Sequence, residues 1–253
     1  MNTFLKRLRS KVRELEARDD VVLLNWDVGE PASSDALASV ERHLAFPLAP
    51  TIRDIYRQAD GLSLRWIHRD NPVFDPKEHR RVKGRLVPGF VRKAPVPEGL
   101  SVIHNSGADD GCICLLPVRE AFIDARWRDM IYFDWMTDEE KSDRDEKSYG
   151  LLSFRRSLRI FDFFSYYEMA AVITLEESLP VIVGTDHGAD WEGPAADFQS
   201  YWELVLAHYG SVQARREASA LSRVEKGAAR ASARAPTLAE VFAICRRAWS
   251  DPP

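Results

Sequence analysis

The chain has 253 residues, enough for one large domain or two small ones with a sizeable buried core. With 45% hydrophobic and 29% charged residues it is neither fibrous nor wholly disordered, and a formal charge of −4 gives no reason for general affinity to nucleic acid. Three cysteines (Cys112, Cys114 and Cys245) cannot all pair with one another and point to a reducing compartment.

From Met1 to Asp20 the sequence spaces Phe4, Leu5, Leu8, Val12 and Leu15 as one face of a helix, among Lys6, Arg7, Arg9, Lys11, Arg13 and Arg18. A secretory signal needs an apolar block after its basic stretch, whereas here acids and bases continue. The segment therefore reads as an amphipathic surface helix, with attachment to a membrane surface as the other reading. No apolar run reaches the roughly 18 residues of a membrane span, and the expected location is the cytoplasm.

A strand-like run, Val21 to Trp26, opens the body, followed by a loop with Gly29 and Pro31. Ser33 or Ser34 can cap a helix through Ala45 that places Leu37, Val40 and Leu44 on one face. Pro47 and Pro50 break the chain. Thr51 is expected to cap a second helix through Ala59, with Ile52, Ile55 and Tyr56 buried and Gly61 as its left-handed stop. Strands are predicted at Leu62–Ile67, Leu86–Val91, Ser101–Asn105, Gly111–Pro117, Met130–Trp135, Leu158–Phe164 and Val181–Gly184. Turn residues separate them, notably over Asn105 to Gly111. Ser165–Leu175 and Asp197–Tyr209 read as helices. Residues 228–235 form an alanine, arginine and serine stretch, and a last helix from about Thr237 to Trp249 aligns Leu238, Val241, Phe242, Cys245 and Trp249 to dock on this same chain.

These elements describe an α+β fold, a mostly antiparallel sheet bracketed by helices. The expected organisation is an N-terminal helix over 1–20, a body over 21–210 and a basic linker with a C-terminal helix over 211–253. The last segment carries a net charge of +4 and residues 1–210 a net charge of −8.

Chemistry is sparse. Phosphate-loop, dinucleotide, zinc-protease and nucleophile-elbow motifs do not occur in the sequence. Cys112-x-Cys114 has the wrong spacing for a zinc knuckle and reads as a strand with two small buried thiols. Thr185 to Trp191 is the most enzyme-like stretch, because Asp186 and Asp190 flank His187 and could hold a metal or move a proton. Asp-His-Gly is equally good turn chemistry after a strand. The remaining histidines (His43, His68, His79, His104 and His208) stand in unrelated contexts and are expected at the surface or at its boundary.

The acidic run from Asp134 through Trp135, Asp138, Glu139, Glu140 and Asp143 to Glu146 suits a docking surface for a basic partner, with Trp135 as an anchor. Its other reading is a solvated loop.

Residues 36–66 carry a recognisable pattern: a helix with Glu41 and Leu44, a turn at Leu48 and Pro50, a second helix with Tyr56, then Asp60-Gly61 and Trp66. It resembles the opening of the SUKH superfamily, related to a fungal cell-wall-synthesis regulator and rich in bacterial toxin-immunity proteins. Ala45 stands where that pattern has glycine, and Pro50 comes one residue late. The resemblance implies an α+β fold in which these motif residues are architectural, and a protein-binding role without cofactor or metal. It points to an immunity protein that neutralises a co-encoded toxin with a basic surface, such as a nuclease, without contacting nucleic acid or membrane. The alternatives are a scaffold module for host proteins and, more remotely, a metal-dependent enzyme centred on Asp186, His187 and Asp190. A partner is expected on Asp134–Glu146, joined by the loop from Asp186 to Glu192.

Overall fold

The computed structural model describes residues 4–76, 79–82, 85–88, 109–124, 158–165, 169–174, 180–185, 190–191, 196–215 and 236–250. The predicted strands Ser101–Asn105 and Met130–Trp135 lie outside them, as does the 228–235 stretch.

Helix α1 (Phe4–Glu16) buries Leu8, Val12 and Leu15, successive turns of one stripe. That stripe lies in the protein's own core, so it is not available to insert into a bilayer. Two cations fasten the helix: Arg7 makes a two-pronged bond to Glu203, each prong at 2.6 Å, and Lys11 Nζ sits 4.2 Å over the Tyr209 ring. Phe4 meets Trp202 edge-on at 4.9 Å.

Strand β1 (Val21–Val28) pairs antiparallel with β2 (Leu62–His68). A bulge falls between Leu23, opposite Trp66, and Asn25, opposite Arg65. Leu64 and Trp66 join the main core, while Ile67 forms a smaller cluster with Val22 and Leu24 under Phe74.

Helix α2 (Ser34–Leu44) starts as predicted: the Ser33 hydroxyl accepts from the Ala36 N–H at 3.1 Å. It ends in a left-handed residue, Ala45, with φ 61°. A side chain in that conformation is strained by roughly 1–2 kcal/mol. Ala45→Gly, at an exposed position, should therefore raise unfolding stability by about 0.5–1 kcal/mol, measured by urea denaturation. A loss of stability would mean that the residue's methyl makes a contact worth more than the strain.

Helix α3 (Pro50–Tyr56) is shorter than predicted. Ala49, not Thr51, precedes its first turn, and no side chain caps it, because Pro50 fills the start with a residue that has no N–H to satisfy. The helix closes at Tyr56 through Arg57 rather than running to Ala59. Gly61, with φ 92°, is not its stop but the corner that turns the chain into β2.

The main sheet contains eight strands among the described residues, in the order β1-β2-β5-β6-β7-β8-β10, with β9 paired to β8. These are β5 (Gly111–Leu115), β6 (Leu158–Ser165), β7 (Met169–Thr174), β8 (Pro180–Thr185), β9 (Asp190–Trp191) and β10 (Ala196–Asp197). Every ladder is antiparallel, and the expected α+β class holds. β7 corrects the helix predicted over Ser165–Leu175. The stretch Met-Ala-Ala-Val-Ile-Thr lies between β6 and β8, and pairing on both sides outweighs its alanines. A hairpin of β3 (His79–Val82) and β4 (Arg85–Pro88) stands apart as a second sheet; only its second strand was anticipated, as Leu86–Val91.

Glu120–Asp124 forms a π-helical turn. Helix α4 (Phe198–Ala207) is capped by Asp197, whose carboxylate accepts from Ser200 N at 2.7 Å. Helix α5 (Leu238–Ser250) opens with a reciprocal cap between Thr237 and Glu240. Its Val241, Phe242 and Cys245 are buried in the cluster that holds Trp66 and Leu8, so the helix does dock on this chain.

Candidate functional site

The α2–α3 corner shows what the motif residues do. One Glu41 carboxylate oxygen accepts from Leu48 N at 3.0 Å and from the Arg53 guanidinium, tying the turn to both helices. Leu48 is buried, Leu44 packs half-buried against the same core, and Pro50 begins α3. Tyr56 is fully buried; its hydroxyl donates to the Leu116 carbonyl at 3.1 Å, and burial pushes its pKa well up. Asp60 accepts from Val118 N at 2.6 Å, joining the start of β2 to the end of β5. The Trp66 indole N–H donates to the Tyr209 carbonyl at 2.7 Å and so ties β2 to the end of α4. Glu41, Tyr56, Asp60 and Trp66 thus all bond inward.

A second polar group is wholly internal. Asp162 accepts from Cys114 N at 2.8 Å, from the Tyr201 hydroxyl at 2.6 Å and from Arg215 at 2.9 Å. Arg215, 1% exposed, also donates to the Gly210 carbonyl at 2.7 Å and to the Cys112 carbonyl. Burial raises the Asp162 carboxyl, opposed by the guanidinium and the two other donors. Beside it, Arg65 grips Asp109 at 2.6 Å, and Asp110 accepts from His68 N and the Asn71 amide. Sequence reading missed this network and counted Arg215 with the basic C-terminal segment.

The thiols behave as expected of a buried strand. Cys112 and Cys114 are unpaired and buried, and desolvation pushes Cys112 to about 12 and Cys114 well up. At such values neither is a thiolate at neutral pH, which removes them as nucleophiles.

His68 departs from its predicted surface position. It is 1% exposed, its Nδ1 accepts from Asp70 N at 3.1 Å, and Nε2 lies 3.4 Å from an Asp20 carboxylate oxygen. The ring is held there because β2 is covered on both faces and Phe242 of α5 packs against it at 4.8 Å. His43 is exposed and His208 half-buried, as expected of surface and boundary residues. Arg18 bonds to Asp20 at 2.7 Å and holds that carboxyl down at about 2. A depressed carboxyl stabilises the fold above its unfolded value near 3.9, and that contribution is lost as pH falls through 2. Asp20→Asn should consequently be less stable than the parent at neutral pH, with the gap closing between about pH 4 and 2; chemical denaturation across that range measures it. A gap independent of pH would contradict the assignment.

Of the residues predicted to contact a partner, Asp190 alone is among the described residues. Asp134, Trp135, Asp138, Glu139, Glu140, Asp143 and Asp186 lie outside the described residues. Asp190 is in β9, opposite Thr185 of β8. Among the described residues no group of histidine, cysteine, aspartate or glutamate is placed to hold a metal ion.

Compared with known proteins, the chain matches no protein-family model and no curated protein. Among the described residues no helix is long and apolar enough to cross a membrane.

Proposed function

We propose that this chain is a non-enzymatic protein-binding domain of SUKH type, acting as an immunity protein that neutralises a co-encoded toxin. The observation that carries the reading is the α2–α3 corner. Ala45 adopts the left-handed conformation at the position where the superfamily pattern has glycine, and Glu41 fastens the turn that the same pattern places beside Leu48. A shared pattern explained by local backbone need supports shared architecture better than matching letters do.

The acidic body supports the choice of partner. Residues 1–210 carry a net charge of −8, and a nuclease must present a basic cleft to hold phosphate. Opposite potentials then speed encounter, which suits an inhibitor that must act before its target does. The Asp134–Glu146 segment is the proposed contact, with Trp135 as its desolvated centre.

Co-expression tests the reading. Each toxin encoded beside this gene is produced with and without the protein, and survival and co-purification are scored. Rescue by direct binding is the expected result. Failure to bind or neutralise any of them rejects the immunity role; recovery of host proteins instead favours the scaffold alternative.

A further inference from the structure

We propose that the outer face of α1 is a docking groove for an acidic segment of a partner protein, in addition to the toxin contact proposed above. The five-residue lining of this groove is Leu5, Lys6, Arg9, Arg13 and Gln58, around a cleft of about 350 Å³ between α1 and the end of α3.

Helix α1 carries cations in different settings. Arg7 and Lys11 are engaged by Glu203 and by Tyr209. Lys6, Arg9 and Arg13 are exposed and spaced three and four residues apart, so they stand on one face over consecutive turns. Among the described residues neither Arg9 nor Arg13 has an ion-pair partner. Like charges at that spacing repel, and a bound carboxylate relieves the repulsion.

The two walls of the groove are tied together. Gln58 reaches across it, its side-chain oxygen accepting from Leu5 N at 3.0 Å and its amide donating to the Asp54 carbonyl at 2.8 Å. This fixes the distance between α1 and α3 and leaves Leu5, half-buried, as an apolar floor between cations. Guanidinium groups one helical turn apart match carboxylates presented on successive turns or alternate residues of a peptide, with an apolar side chain against Leu5. The chain's net charge of −4 works against a long nucleic acid or a charged bilayer, which would meet the whole protein's field, while a short acidic segment meets only the groove.

The test is fluorescence anisotropy at low salt with the full chain and a labelled peptide of glutamates around a central leucine. Parallel arms use labelled oligothymidylate and phosphatidylserine-containing vesicles. Arg9→Gln with Arg13→Gln should weaken peptide binding by about tenfold or more, while Arg42→Gln, an exposed arginine at the end of α2, should leave it unchanged. Circular dichroism melts show whether each variant is folded. Because Arg9 and Arg13 are exposed, their replacement should keep the parent melting temperature. Equal weakening by Arg42→Gln, or no binding of the peptide by the parent, overturns the proposal. So does tighter groove-dependent binding of oligothymidylate or vesicles, which would assign the groove to a phosphodiester or a lipid surface.

Discussion

Asp162→Ala should destabilise the protein by about 3–5 kcal/mol, a large share of the roughly 5–15 kcal/mol that holds an ordinary domain folded. The carboxylate is fully buried and joins β6 to β5, to α4 and to the segment after it, through Cys114, Tyr201 and Arg215. Removing it strands the guanidinium of Arg215 in the interior, where uncompensated charge is far costlier than the pair. Arg215→Ala should cost a similar amount by stranding the carboxylate. Combining Asp162→Ala with Arg215→Ala should cost much less than the sum of the single changes, because no charge remains unpaired. Urea denaturation of the four proteins closes the cycle. Additive single effects would show that the two side chains do not act as a pair.

Gly111→Ala is expected to cost about 3 kcal/mol, with a marked loss of near-ultraviolet circular dichroism. Gly111 pairs with Trp66 across β5 and β2, and the indole occupies the space where a side chain would be. An added Cβ would fall 2.8 Å from Trp66 Cδ1 and closer still to Nε1. The ring has nowhere to move: it is fully buried, packs at 5.8 Å from Phe242 and donates its N–H to Tyr209. Displacing it would therefore break the bond to α4 and the seat of α5 together. A variant within about 0.5 kcal/mol of the parent would mean that the indole is free to tilt.

Both sites show where sequence reading stops. Helices α1, α2, α4 and α5 were legible because their signals are local: apolar residues at helical spacing and caps at Ser33, Asp197 and Thr237. The α2–α3 corner was legible because a proline turn and Asp60-Gly61 mark it within thirty residues. Strand β7 was not, since its alanines suit a helix and only its neighbours in the sheet decide otherwise. Asp162 and Arg215 are 53 positions apart, and neither stands in a pattern that announces burial. Ser63 and Arg65 alternate with apolar residues along β2, which suggests one wet face; cover on both sides makes every residue of the strand buried. Gly111 resembled the end of a turn, and its purpose appears only with Trp66 placed against it.

The inward-bonded residues bear on stability, and the acidic run proposed as the toxin contact bears on recognition. Exposed ion pairs contribute roughly 0.2–1 kcal/mol each, so an acidic contact should govern encounter more than folding. The decisive measurement is the association rate with any toxin that the proposed immunity role pairs with this protein, taken across a salt series. It compares the parent with a variant carrying Asp138→Lys, Glu139→Lys and Glu140→Lys. The expected result is a variant with unchanged thermal stability whose association at low salt is slower by about tenfold or more and depends less on salt. Association as fast as the parent's at low salt, with the same salt dependence, would contradict the account and leave the acidic run a solvated loop.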